Sequence, residues 1–138
     1  MITLEYNKDV LENLNDYRVV IIGPGLSNDS WSESIFFNLA NLVSENIIST
    51  KLIVDAGFLH FLSRQPFSYD NWVLTPHEGE ASMLLNTSPK WIKDNRTEAA
   101  CLIQEKYSGT VVLKGPNTII FDGSEIFICS HGGHHMGV

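Results

Sequence analysis

LTPHEGEASMLL, residues 74–85, opens as the tail of an apolar run, breaks at Pro76, and resumes as a helical pattern with Ala81, Met83, Leu84 and Leu85 available for packing. A strand that ends where a helix begins is the junction at which α/β proteins place ligands, because unpaired backbone N–H groups gather there. His77, Glu78 and Glu80 crowd this junction, so it is the first place to look for chemistry.

The same alternation extends outward on both sides. Upstream, RVVII (18–22) is a β-branched run that reads as a strand buried on both faces, ended by Gly23-Pro24-Gly25. After a polar loop, Ser30 or Ser32 is the expected cap of a helix over 33–46, where Ile35, Phe36, Leu39, Leu42 and Val43 recur at helical spacing. Residues 51–54 form a second apolar run closed by Asp55, with a short helix expected over 58–63 and a third strand over 71–75. Residues 8–14 also suit a short helix.

Downstream, Ser88 and Pro89 mark the cap and first position of another short helix. Residues 97–107 are helical, with Ala99, Ala100, Leu102, Ile103 and Tyr107 near one stripe, and 110–113 is a fourth strand. Residues 118–121 and 125–129 flank Asp122-Gly123, a hairpin signal. Strands alternating with helices and finishing in a hairpin predict an α/β fold. It is a single domain over 1–138 whose mostly parallel sheet is flanked by helices and carries a C-terminal antiparallel hairpin.

Composition limits the partners. The 138 residues are 43% hydrophobic and 18% charged, enough apolar surface for a real core. A net charge of -7 with no basic run excludes a nucleic-acid or anionic-membrane surface. Without a signal-peptide pattern or a long apolar span, the expected location is the cytoplasm, and Cys101 and Cys129 read as reduced, buried core thiols. His131, His134 and His135, interspersed with glycines, match no closed zinc spacing and read as a tail.

Four strand ends carry small or polar clusters: Gly23-Pro24-Gly25, Asp55-Ala56-Gly57, Thr75-Pro76-His77 and Lys114-Gly115-Pro116. In a parallel sheet the carboxyl ends share one edge, so these clusters are expected to face a common crevice. Gly23 and Gly25 permit close approach of backbone to a ligand. Asp55 either binds a ligand hydroxyl or caps the helix behind it. His77 and Glu80, three positions apart at a helix start, point to neighbouring faces of one turn. His77 suits donation to a phosphate or substrate oxygen, and Glu80 suits a magnesium ion held through water rather than directly. Thr75 and Glu78 have capping-box spacing, so Glu78 is assigned to that box and left out of the site. Lys114 is either a point charge for a phosphate or a chain snorkelling over the sheet edge, and Gly115 beside it favours the phosphate.

In order and spacing, GPGLS (23–27), VDAGFL (54–59), LTPHEGEASMLL and VVLKGPNTII (111–120) resemble the ADP/ATP-dependent NAD(P)H-hydrate dehydratases, the YjeF C-terminal type of the ribokinase-like superfamily. The family's corresponding motifs run GPGLG, DADAL, TPHPGE and VLKGxGT. The resemblance implies a ribokinase-like fold and an enzyme that repairs hydrated NADH and NADPH. In that reaction ADP or ATP, with Mg2+, phosphorylates the hydroxyl introduced by hydration, and loss of phosphate restores the ring. It also implies that Gly25 and His77, with Asp55 beside them, meet the hydrated cofactor. Lys114, Gly115, Pro116, Asn117 and Thr118 line the nucleotide site, and Glu80 joins the magnesium and phosphate network. Phosphoryl transfer, which needs positioning and charge neutralisation above all, suits such a set.

Three positions depart from the family's motifs. Ser27 replaces the last glycine of GPGLG, Gly57 replaces the second aspartate of DADAL, and Glu78 replaces the proline of TPHPGE, adding negative charge near the phosphates. The family also carries a strand-helix unit before the GPG strand and a GGxGD motif after the segment that 130–138 resembles. The domain is therefore expected to be incomplete at both ends, with the family's catalytic aspartate beyond Val138 and the chain inactive alone. A homo-oligomer is compatible with the resemblance. The alternatives are a ribokinase-like kinase of a thiazole or sugar alcohol, and a non-catalytic nucleotide-binding remnant.

Overall fold

The β-branched runs become strands with little slippage. The computed structural model describes residues 13–27 and 29–130. Strands β1 (Val19–Ile22), β2 (Lys51–Val54), β3 (Trp72–Leu74) and β4 (Thr110–Leu113) pair in parallel, and β5 (Asn117–Phe121) and β6 (Ile126–Ser130) add an antiparallel hairpin. They lie side by side in chain order. The connecting helices are α1 (Ser30–Ser44), α2 (Gly57–Arg64), α3 (Glu78–Leu84), α4 (Pro89–Asp94) and α5 (Arg96–Tyr107), and a 3-10 turn, Leu14–Asp16, precedes β1. This is the expected mixed sheet with flanking helices and a terminal hairpin.

Because each crossover steps the same way along the sheet, right-handed connections stack the helices on one face. Burial follows. The register row Val20, Leu52, Trp72 and the row Ile22, Val54, Leu74, Val111 are at most 2% exposed. On the opposite face Ile21, Ile53 and Val73 are only half-buried. The strand at 18–22 is therefore buried on one face, not both, because among the described residues the second face has no helix layer.

Aromatic side chains fill the space between β1–β3 and the helices. Phe36 of α1 meets Phe58 of α2 with ring centroids 5.1 Å apart, and Phe67 meets Trp72 at 5.1 Å. Trp72 Nε1 donates to Tyr107 O at 3.0 Å, and the Tyr107 hydroxyl donates to Leu84 O at 3.0 Å. Those two bonds tie β3, α5 and α3 together while satisfying polar atoms that burial would otherwise penalise.

Several local expectations are corrected. Asp29, rather than Ser30 or Ser32, caps α1, accepting from Ser32 N at 2.8 Å; a carboxylate one residue earlier reaches the N3 amide first. Leu102 is 38% exposed, because the buried stripe of α5 runs through Ala99, Ala100, Ile103 and Tyr107 and leaves position 102 on its flank. Cys101 and Cys129 are unpaired thiols but only half-buried. Ser88 and Pro89 start α4 as expected, with Ser88 Oγ accepting from Trp91 N at 3.1 Å. Among the described residues no helix is long and apolar enough to cross a membrane. Most of the helix expected over 8–14, and the histidines at 131, 134 and 135, lie outside the described residues.

Candidate active site at the strand ends

Hydrogen bonds lace the four strand exits into one edge. Asp55 N donates to Ile22 O at 2.9 Å, Thr75 N to Val54 O at 3.0 Å, and Lys114 N to Pro76 O at 2.9 Å. Gly23 makes the first junction possible. Its φ is +127°, and a Cβ there would overlap the Asp55 carbonyl oxygen, so no other residue fits. The common edge expected from the sequence is thus built from backbone outward.

Across this edge Lys114 Nζ lies 3.2 Å from Asp55 Oδ1, with the exit of β3 between them. Asp55 is therefore not a helix cap. The cap position of α2 is Ala56, which makes no side-chain cap bond and holds φ 48°, ψ -124°, a conformation costly for a residue with a Cβ. Lys114 and Asp55 are 43% and 32% exposed, so the pair adds little to stability and stays open to exchange.

His77 and Glu80 also come together, though as each other's partners. His77 caps α3: Nδ1 accepts from Glu80 N at 3.2 Å, and Glu80 Oε1 accepts from His77 N at 3.1 Å. The capping box is His77–Glu80, not Thr75–Glu78, because α3 starts at Glu78 and Thr75 instead hydrogen-bonds back to Val54 O. The cap consumes the Glu80 amide that the sequence left unpaired. His77 Nε2 lies 3.6 Å from Glu80 Oε1, with the imidazole 60% exposed and the carboxylate 6%.

Glu78 has a different partner. Its Oε2 accepts from Arg96 Nη1 at 2.7 Å. Arg96 escaped the sequence reading because it stands at the first position of α5, outside every motif.

A crevice of about 340 Å3 opens beside these groups, lined by Leu26, Ser27, Ala56, Gly57, His60, Phe61 and Glu80. His60, exposed on α2, is a lining residue that sequence reasoning missed, since one histidine on a helix carries no signal. A Cβ on Gly57 would overlap the Leu26 carbonyl, so the absence of a side chain there lets the GPGLS loop close onto α2. Ser27 anchors that loop, its hydroxyl donating to Asp29 Oδ2 at 2.8 Å and its amide to Ser32 Oγ at 3.1 Å. Hydrogen bonds from the Ser32 amide and the Ser27 and Ser32 side chains hold the Asp29 carboxyl below its ordinary range.

Gly25 is exposed, with open space where a Cβ would lie. Pro116 is exposed on the turn after β4 and Asn117 at the start of β5, and Gly115 and Thr118 are half-buried, with Thr118 Oγ1 donating to Gly115 O at 3.2 Å. Glu80 falls on the β1–β2 side of the crevice, whereas Lys114 and the turn belong to β4 and β5. Among the described residues no three His, Cys, Asp or Glu side chains converge as a metal cage. Magnesium bound chiefly by water and phosphate oxygens needs none. A larger groove of about 530 Å3, lined by α4, α5 and the loop at Leu85 and Thr87, contains none of the strand-end residues.

The profile of the NAD(P)H-hydrate dehydratase family matches residues 2–137. The bifunctional NAD(P)H-hydrate repair enzyme Nnr of Coxiella burnetii is 40% identical over 119 residues, which are 86% of this chain and 23% of that protein. Among solved structures, a ribokinase-like superfamily protein from Enterococcus faecalis superposes with TM-score 0.71 at 26% identity, over 94% of this chain and 44% of that one. The ADP/ATP-dependent NAD(P)H-hydrate dehydratase of Bacillus subtilis, co-crystallised with ATP/Mg2+ and soaked with CoA, gives 0.66 at 25% identity, over 89% and 46%. The chain thus spans about a quarter of that curated relative and less than half of either solved chain. Sequence profile, pairwise identity and backbone superposition agree, and the chain belongs to the NAD(P)H-hydrate dehydratase family.

Proposed function

We propose that this protein binds hydrated NADH or NADPH together with ADP or ATP and Mg2+, and serves the dehydration that restores NAD(P)H, in the cytoplasm. The observation that carries this reading is the Asp55–Lys114 pair on the shared strand-end edge. Gly25, Asp55 and His77 form the substrate wall. Lys114, Gly115, Pro116, Asn117 and Thr118 form the nucleotide wall, and Glu80, on the β1–β2 side of the crevice, would meet magnesium through water.

The partly exposed ion pair gives a way to couple those walls. Lys114 is a compact, flexible point charge, suited to a phosphate oxygen. An arriving phosphate competes with Asp55 for it, and the released carboxylate becomes free to accept a hydrogen bond from a substrate hydroxyl. ADP or ATP supplies the phosphoryl group, and Mg2+ neutralises its charge through water and phosphate oxygens. The Bacillus subtilis relative crystallised with ATP/Mg2+ supports the choice of nucleotide.

Calorimetric titration with Mg·ADP and Mg·ATP tests the reading, followed by incubation with hydrated NADH and recovery of dihydronicotinamide absorbance. Lys114→Ala removes a charge-assisted contact of roughly 1.5–3 kcal/mol and is expected to raise the nucleotide Kd about tenfold or more. A wild-type protein that binds neither nucleotide defeats the proposal.

A further inference from the structure

The turn from Leu113 to Asn117 has the residue that shapes it outside its own motif. Arg96 Nη2 donates to the carbonyl oxygens of Leu113 at 3.1 Å and Asn117 at 2.8 Å, the two ends of the stretch Lys114-Gly115-Pro116. Its Nη1 donates to Glu78 Oε2 at 2.7 Å. Gly115 completes the fit, since a Cβ there would lie 2.8 Å from both terminal nitrogens and 3.0 Å from Cζ. Three acceptors are met by one planar fork, a geometry that guanidinium provides and an ammonium does not. The Arg96 side chain is 15% exposed, so these bonds form largely away from solvent.

We propose that Arg96 is a positioning residue for the nucleotide-binding turn and that Glu78 is the counter-charge that orients it. The proposal rests on the nucleotide reading of that turn. One nitrogen bridging two carbonyls staples the turn shut at its base, and that base carries Lys114 toward the strand-end edge. Among the described residues Arg96 Nε is buried with no partner, so the tip of the side chain makes the hydrogen bonds that orient it. Glu78 occupies a position where negative charge threatens phosphate binding, yet its pairing with Arg96 leaves the two together without net charge. The departure at position 78 is thereby turned into part of the turn's support.

Arg96→Lys, Arg96→Ala and Glu78→Gln, made in the whole protein, separate the possibilities. Two readouts are taken: the rate of tryptic scission after Lys114 without ligand, mapped by mass spectrometry, and the Kd for Mg·ADP and Mg·ATP. Both Arg96 variants are expected to raise scission at Lys114–Gly115 and nucleotide Kd by about tenfold or more, because lysine keeps the charge but loses the fork. Glu78→Gln keeps an acceptor for Nη1 but loses the counter-charge, and is expected to raise both readouts by about fivefold, less than either Arg96 variant.

A general loss of stability exposes every tryptic site; a positioning role confines the new cut to Lys114–Gly115. Wild-type scission and affinity in Arg96→Lys overturn the proposal, and general scission in it does so too. If Arg96→Ala does not fold, Arg96→Lys carries the comparison. Failure of the wild type to bind either nucleotide overturns the proposed function, while the scission rate still decides whether Arg96 holds the turn.

Discussion

His77 combines two roles that substitution can separate. Its Nδ1 caps α3 while the ring stays 60% exposed beside the exit of β3. Replacement by alanine removes the cap acceptor and is expected to cost about 1 kcal/mol. His77→Asn restores a good capping side chain without the imidazole, so chemical denaturation should return it to near wild-type stability. Loss of hydrated-NADH binding in His77→Asn then reports the ring alone, and unchanged binding removes His77 from the substrate wall. The sequence placed His77 at this junction correctly but assigned the capping box to Thr75 and Glu78. Two overlapping boxes share the spacing, and the choice depends on where helical φ and ψ begin after Pro76, a tertiary matter. Arg96 and His60 were illegible for a related reason. What matters about each is the neighbour it meets across the helix layer, and no spacing rule encodes that.

At the scale of elements, strands were read almost to the residue because continuous β-branched runs leave few other conformations. Helix ends shifted by a residue or more, at α1 because Asp29, Ser30 and Ser32 all offered caps and Asp29 took it. The junction of α5, β3 and α3 shows what such reading omits. Tyr107 is fully buried there, and burial pushes its hydroxyl up from 10.0 to about 12. The sign follows from linkage. Between pH 10 and 12 the unfolded tyrosine loses its proton while the folded one keeps it, so the stabilisation is complete below pH 10 and disappears as pH rises toward 12. The amount is on the order of 2–3 kcal/mol. Tyr107→Phe should lack this alkaline loss when denaturation midpoints are compared across that range. Its cost at neutral pH should be modest, about 1 kcal/mol, because Leu84 O also accepts from Lys106 Nζ at 3.1 Å. Parallel pH curves for the two proteins would assign the alkaline transition to other groups.

For the whole molecule, the alternation of strands and helices made the mixed sheet legible, and strand order decided what the sequence left open. Sequential order places the helices on one face, so residues of a near-continuous apolar run, such as Ile21, end half-buried on the other. Among the described residues the same geometry leaves β6 at the sheet's edge, with Ile126, Phe127 and Ile128 exposed by 43%, 51% and 62%. Residues 126–130 contain no charge and no proline, the usual devices that keep an edge strand from pairing with another. Self-association through this edge is therefore expected to grow with concentration. Ile128→Lys adds the missing charge where little apolar area is buried, so stability by denaturation should change by no more than about 0.5 kcal/mol. Light scattering of the two proteins over a concentration series is the measurement. Suppression in Ile128→Lys assigns the association to β6, whereas equal scattering moves it to the half-buried sheet face around Ile21, Ile53 and Val73.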